Sequence, residues 1–167
     1  MNKRSSFFLS LFFLLALLPA FGKPLSIIPT SGKEMQGRIQ SLHAKVSILN
    51  IWATWCIPCK KEFPDFLKLY RNFQEKGVLL FLVSADLENE LSQVKKFLQD
   101  HGVNFETYIK KQKDLEFINE IDQKWSGLIP TTVMYDHTGK VRYILEGEVT
   151  YKQIEDKVLE LLKEVSK

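Results

Sequence analysis

Val78 to Val83 reads Val-Leu-Leu-Phe-Leu-Val, apolar at every position, and a strand with no polar side has to be covered on both faces. Such a strand sits in the middle of a parallel sheet with helices packed above and below, so the fold class is α/β. The neighbouring sequence agrees. Val46 to Trp52 (Val-Ser-Ile-Leu-Asn-Ile-Trp) is a second short run of β-branched and aromatic residues and predicts another buried strand. Between the two, Phe63, Phe66, Leu67, Tyr70 and Phe73 recur at three- and four-residue steps. That spacing predicts an amphipathic helix from about Cys56 to Lys76, kinked at Pro64 and stopped by Gly77. A helix at about Glu90 to Asp100, an edge strand near Phe105 to Ile109 and a helix near Asp114 to Lys124 are expected next. Thr131 to Asp136 and Lys140 to Glu146 predict a hairpin turning at Asp136-His137-Thr138-Gly139. Thr150 and Gln153 form a capping box for a last helix that turns Ile154, Val158, Leu161 and Leu162 inward. The predicted order is β-α-β-α-β-α-β-β-α, a central mixed β-sheet flanked by helices.

The two cysteines of the chain fall in one hexapeptide, Trp55-Cys56-Ile57-Pro58-Cys59-Lys60, where the first strand meets its helix. At a helix start, unpaired backbone N–H groups and the positive end of the dipole favour a thiolate. Cys56 is therefore expected to be a solvent-accessible nucleophile, with Cys59, one turn further in and shielded, as the resolving thiol of a dithiol–disulfide cycle. Two plainer readings compete. Zinc needs about four ligands, and His43, His101 and His137 are scattered singly without the required spacing. A purely structural disulfide is weakly motivated, because so short a loop removes little entropy from the unfolded chain.

Lys3 and Arg4 precede Phe7 to Leu18, a 12-residue stretch in which only Ser10 is not apolar, and Ala20-Phe21-Gly22 follows with small residues. Residues 1–22 thus read as a signal peptide cleaved before Lys23. Extension of the apolar run through Phe21 leaves an uncleaved anchor as the alternative. No cysteine follows the run, so a lipidated form is not expected. Export delivers the cysteine pair to an oxidising compartment, periplasmic or otherwise extracytoplasmic.

Of the 23 basic residues in this 167-residue chain, the first 22 positions hold Lys3 and Arg4, and they hold none of the 20 acidic ones. The remainder is close to neutral, which offers nothing for nucleic-acid binding. Residues 23–44 read as a lead-in, loose over Lys23 to Lys33 where Pro24, Pro29 and Gly32 cluster, and residues 45–167 as one domain.

Asn50-Ile51-Trp52-Ala53-Thr54-Trp55-Cys56-Ile57-Pro58-Cys59-Lys60 resembles the strand-to-active-site segment of the thioredoxin superfamily. Ile129-Pro130-Thr131-Thr132 resembles its cis-proline loop. The likeness spans roughly Lys45 to Lys163. Within the superfamily, the export signal, Trp55 to Pro64 and the added segment between Ser84 and Ile129 are most similar to the TlpA/ResA-like branch. The resemblance implies a thioredoxin fold with the TlpA/ResA-type insertion, no bound cofactor and no metal. It also implies thiol–disulfide exchange outside the cytoplasm, commonly in cytochrome c maturation.

Further expectations follow from that resemblance. Cytosolic thioredoxins carry a buried aspartate where this chain has Asn50, which cannot exchange a proton. Glu62, on the helical face of Cys59, matches the glutamate of the ResA-like branch and would take the proton of the resolving thiol; without that match it reads more readily as an exposed acid that favours the helix dipole. Pro130 is expected to be cis and to set the Ile129 backbone beside Cys56, where a client strand can pair with it. Trp55 reads both as packing and as apolar rim, Trp52 and Trp125 as core, and the three histidines as surface residues. Lys60-Lys61 reads either as a source of positive potential or as a solvated face.

The resulting expectation is an exported, monomeric disulfide reductase whose partners are exported client proteins with cysteine pairs. By resemblance, a membrane electron donor of the DsbD/CcdA kind recharges it. An oxidase or isomerase of the same fold would share nearly every motif. A copper-binding chaperone would use Cys56 and Cys59 as soft ligands, although copper carriers of this fold want wider spacing and a histidine.

Overall fold

The computed structural model describes residues 24–165. The signal reading of residues 1–22 lies outside them. Among the described residues, no helix is long and apolar enough to cross a membrane.

Eleven elements follow in the order β1 (Ser26–Thr30), α1 (Gly32–Ser41), β2 (Val46–Trp52), α2 (Ile57–Phe73), β3 (Val78–Ser84), α3 (Leu91–Asp100), β4 (Glu106–Lys110), α4 (Asp114–Ile121), β5 (Thr131–Asp136), β6 (Val141–Glu146) and α5 (Tyr151–Val165). The six strands form one mixed sheet in the order β1-β4-β3-β2-β5-β6. β1 to β4 pair in parallel, β5 runs antiparallel to β2, and β6 closes the hairpin. β3, apolar from Val78 to Val83, lies inside the sheet, as a strand buried on both faces must.

Two cores result. Ile48, Trp52, Phe63, Phe66, Val94, Leu98, Ile154 and Val158 fill the face covered by α2, α3 and α5. Met35, Ile39, Leu49, Ile51, Phe117 and Trp125 fill the face under α1 and α4. Successive residues of β2 therefore serve opposite layers, as the strand period of two requires. α2 passes through Pro64 as one helix, and Gly77, with φ of 88°, ends the three-residue 3-10 turn that follows it.

The N-terminal segment departs from the sequence reading. Residues read as a loose lead-in contain β1 and α1, and β4 is not an edge strand, because β1 pairs along its whole length from Ser26↔Glu106 to Thr30↔Lys110. Pro29 is compatible with β1 because β1 is itself the edge, where a missing N–H breaks no ladder. Ser31 caps α1 and accepts from the Glu34 amide at 3.1 Å, while Glu34 accepts from the Ser31 amide at 2.8 Å. His101 also departs from its surface reading. It is half-buried, with its ring 4.1 Å from that of Phe97 and 5.3 Å from that of Phe63.

α1 meets α4 at Gly32. A Cβ there would lie 2.7 Å from the Glu120 Cβ and 2.9 Å from the Phe117 carbonyl oxygen, neither able to swing aside. Gly37, five residues along, would meet nothing within 4 Å. Gly32→Ala is expected to lower unfolding free energy by about 1–3 kcal/mol through overpacking. Gly37→Ala should raise it by about 0.5–1 kcal/mol, as alanine replaces glycine inside an exposed helix turn. Urea unfolding of both variants measures the contrast, and equal effects would mean α1 does not dock as described.

Candidate functional site

β2 ends at Trp52, whose carbonyl accepts from the Ala85 amide at 2.7 Å. The chain then turns over Ala53 to Cys56, closed by the Cys56 amide donating to the Ala53 carbonyl at 3.2 Å. Cys56 leaves this turn as the N-cap of α2, with extended backbone (φ −85°, ψ 105°), and its Sγ accepts from the Cys59 amide at 3.3 Å. Pro58 stands in the first turn of the helix, where no backbone donor is needed. Cys56 and Cys59 are joined as a disulfide with Cα atoms 5.3 Å apart.

Cys56 is 5% exposed and Cys59 is 1%. The expected ranking holds, but the expected openness of Cys56 does not, because the closed ring is part of the α2-side core cluster. The exposed surface belongs to its neighbours, Trp55 at 61% and Ile57 at 75%. Trp55 lines a cleft of about 270 Å³ with Ile51, Ala85, Phe117, Trp125 and Ile129. It is rim more than packing. The Ile129–Pro130 peptide bond is cis, as expected, and Pro130 is buried. Its carbonyl accepts from the Gly147 amide at 2.8 Å, which ties the loop to the connector between β6 and α5. Trp52 and Trp125 are core residues, 1% and 5% exposed.

Glu62 lies within the protein, 2% exposed, and not on the surface as a helix-dipole acid would. Asn50 on β2 donates to one of its carboxylate oxygens at 2.9 Å, and the Val149 amide of the β6–α5 connector donates to the other at 2.9 Å. Burial, above all, pushes its pKa up from the usual 4.5 to about 7. The two hydrogen bonds pull downward, and the carboxylates of Glu148 and Asp65 add to the rise. Lys61 turns outward to an ion pair with Glu148, and Lys60 is exposed.

The sequence reading missed a second buried carboxylate. Asp86, fully buried just beyond β3, accepts from the Thr54 amide, from the Thr54 hydroxyl and from Ser84 Oγ. Its sequence signal is slight: one acid three residues past the all-apolar run that ends at Val83.

Folded Glu62 holds its proton more tightly than unfolded Glu62, so the folded chain binds more protons between pH 4.5 and about 7. The stability this confers is complete below 4.5 and is lost as pH rises through about 7. Glu62→Gln should abolish the slope, since the amide oxygen can accept from Val149 while Asn50 turns its own amide to accept from Gln. Wild type is expected to lose up to roughly 3 kcal/mol relative to the variant across that window. Urea unfolding of the oxidised proteins over a pH series measures it, and parallel curves would refute the buried acid.

Residues 19–144 match the AhpC/TSA family. The thiol-disulfide oxidoreductase ResA of Bacillus thuringiensis is 36% identical over 124 residues, which is 74% of this chain and 66% of that relative, slightly under two thirds of its length. A thioredoxin-family thiol:disulfide interchange protein from Chlorobium tepidum superposes with a TM-score of 0.63 at 25% identity, covering 73% of this chain and 83% of that one. A secreted thiol-disulfide isomerase from Corynebacterium glutamicum superposes with a TM-score of 0.60 at 25% identity, covering 71% of each. A sheet with the cysteine pair at a helix start, a cis proline in the loop ahead of β5 and these relatives agree: the chain belongs to the AhpC/TSA family of thioredoxin-like proteins, in its ResA-like branch.

Proposed function

We propose that the protein is an extracytoplasmic thiol–disulfide oxidoreductase that reduces cysteine pairs in other exported proteins, with Cys56 as nucleophile and Cys59 as resolving thiol. The observation that carries this reading is the Cys56–Cys59 disulfide at the start of α2 with a buried, proton-binding Glu62 one turn below.

In the reduced protein the Cys56 thiolate attacks one sulfur of a client disulfide, forming a mixed disulfide and releasing one client thiolate. Cys59 then gives its proton to Glu62 and attacks the Cys56 sulfur. The Cys56–Cys59 bond forms, and the second client thiolate leaves. A pKa of about 7 suits Glu62 to this exchange, because it is part ionised near neutrality. Trp55 and Ile129 face the client, and the buried Pro130 sets the Ile129 backbone for pairing with an extended strand. Two electrons and two protons must return for each turnover, from a membrane donor of the DsbD/CcdA kind. Cytochrome c precursors fit as clients because their haem-binding cysteines must be reduced before haem attaches.

Export is supported by the signal pattern of residues 1–22 and by a secreted relative. Domain boundaries at 23–44 and 45–167 are kept only as a sequence division, since β1 and α1 complete the same sheet and core. An isomerase or oxidase cycle would use the same atoms. The reductase reading expects a reduction potential well below that of glutathione, and a potential above it would reverse the assigned direction.

Cys59→Ser should strand clients on Cys56 as mixed disulfides separable on non-reducing gels, whereas Cys56→Ser should trap far fewer. Equal trapping by both variants would overturn the assignment of nucleophile. Fractionation is expected to find the protein outside the cytoplasm; a full-length soluble cytosolic form would sink the location.

A further inference from the structure

Asp86 is a fully buried carboxylate that the reaction above does not use. Its oxygens accept from the Thr54 amide at 2.9 Å, from the Thr54 hydroxyl, and from Ser84 Oγ at 2.6 Å, while its own amide donates to Ser84 Oγ at 3.0 Å. Ser84 is the last residue of β3, so the carboxylate is fixed to the sheet. Thr54 is the second residue of the turn that delivers Cys56 to the head of α2. The turn is thus held at its entry by the Ala85 amide on the Trp52 carbonyl and along its course by Asp86. Two residues further on, the Cys56 sulfur accepts from the Cys59 amide.

We propose that Asp86 is a positioning residue for the redox chemistry: through Thr54 it keeps the Ala53–Cys56 turn in place, so that the Cys56 sulfur stays at the helix start when the disulfide opens. The inference rests on the reading of Cys56 as nucleophile. Once the disulfide opens, the sulfur depends on this turn to remain on the N–H groups that stabilise a thiolate. A turn freed from Asp86 lets the sulfur leave the cap, and the thiolate loses its donors. The charged groups around Cys56 are Lys60 and the deeper Glu62 on α2, Asp86 beyond β3, and Asp114 of α4, which lines the cleft under Trp55. Ile129 and Pro130 are uncharged, and Glu148 of the β6–α5 connector is paired with Lys61.

The same carboxylate could act only as a nearby negative charge, and the two roles have opposite signs. A like charge disfavours a thiolate. Removing it with geometry intact would lower the pH at which Cys56 reacts, whereas losing the clamp raises that pH. Thr54→Val separates them, because it deletes one clamp bond and changes no charge.

The test is iodoacetamide labelling of the reduced protein against pH, with peptide mapping of Cys56 and Cys59, on wild type, Thr54→Val and Asp86→Ala, which removes every clamp bond that the side chain makes. The expected midpoint for Cys56 rises by about half a unit or more in Asp86→Ala, with labelling on the acid side slowed about threefold or more, and by less in Thr54→Val. A loss of stability alone would leave both midpoints where they are. An unchanged or lowered midpoint in either variant overturns the clamp. If Asp86→Ala does not fold, Thr54→Val decides alone. Wild-type labelling that favours Cys59 would instead sink the reading of Cys56 as nucleophile, and is told apart because it appears before any variant is made.

Discussion

A carboxyl group that α2 carries into the interior holds three parts of this protein together. The Glu62 carboxylate takes one hydrogen bond from the middle of β2 and one from the backbone of the β6–α5 connector. α2 is thereby tied to the sheet beneath it and to the segment that leads into the last helix. Such an acid is expensive to bury, and two donors do not restore what water would supply. The remaining cost appears as raised proton affinity. The connector that supplies the Val149 amide also reaches Pro130 through Gly147, and just beyond it Tyr151, the first residue of α5, donates its amide to Asp65 on α2. The helix with the cysteine pair and the loop with the cis proline are therefore fixed to one short strap.

Much of this was legible in the sequence where a residue's local pattern and its final surroundings point the same way. β2 and β3 begin where the apolar runs begin, the turn residues of Asp136 to Gly139 make the hairpin, and the cysteine motif lies at a helix start. β1 and α1 were missed for a specific reason. Pro24, Pro29 and Gly32 are loop residues by local chemistry, and only pairing with β4 shows that Pro29 stands on an edge and that Gly32 permits contact with α4. The Ser31-x-x-Glu34 capping box was present and marked the helix. His101 was misplaced because a lone histidine carries no local signal for the ring stack with Phe97 and Phe63.

At the site the limits follow the same division. Spacing places Glu62 on the face of Cys59, but burial depends on Asn50 and on a backbone amide 87 positions away. Asn50 looked like the loss of an acid. Its amide is one of the donors that hold Glu62, so the two positions form one hydrogen-bonded pair, split between β2 and α2. The role of Asp86 was hidden because Thr54, which donates to it twice, lies 32 positions earlier, in a turn whose side chains look unremarkable.

Glu62 and Asp86 differ in what surrounds them, and the difference suits the different tasks proposed for them. Asp86 meets a backbone amide and two hydroxyls, from a strand end and a turn that are themselves fixed. That arrangement favours holding a position. Glu62 meets two amide donors in an apolar core and sits beside the acidic Glu148 and Asp65, so neither of its protonation states is strongly preferred near neutrality. That arrangement favours exchanging a proton. A thiol–disulfide cycle needs both, because one sulfur must stay at the helix head as its bond breaks and the other must lose a proton inside the protein. On the roles proposed here, the holding carboxylate lies beyond β3 and the proton-exchanging one within α2, so that each is set by its own neighbours, with the disulfide between the segments they anchor.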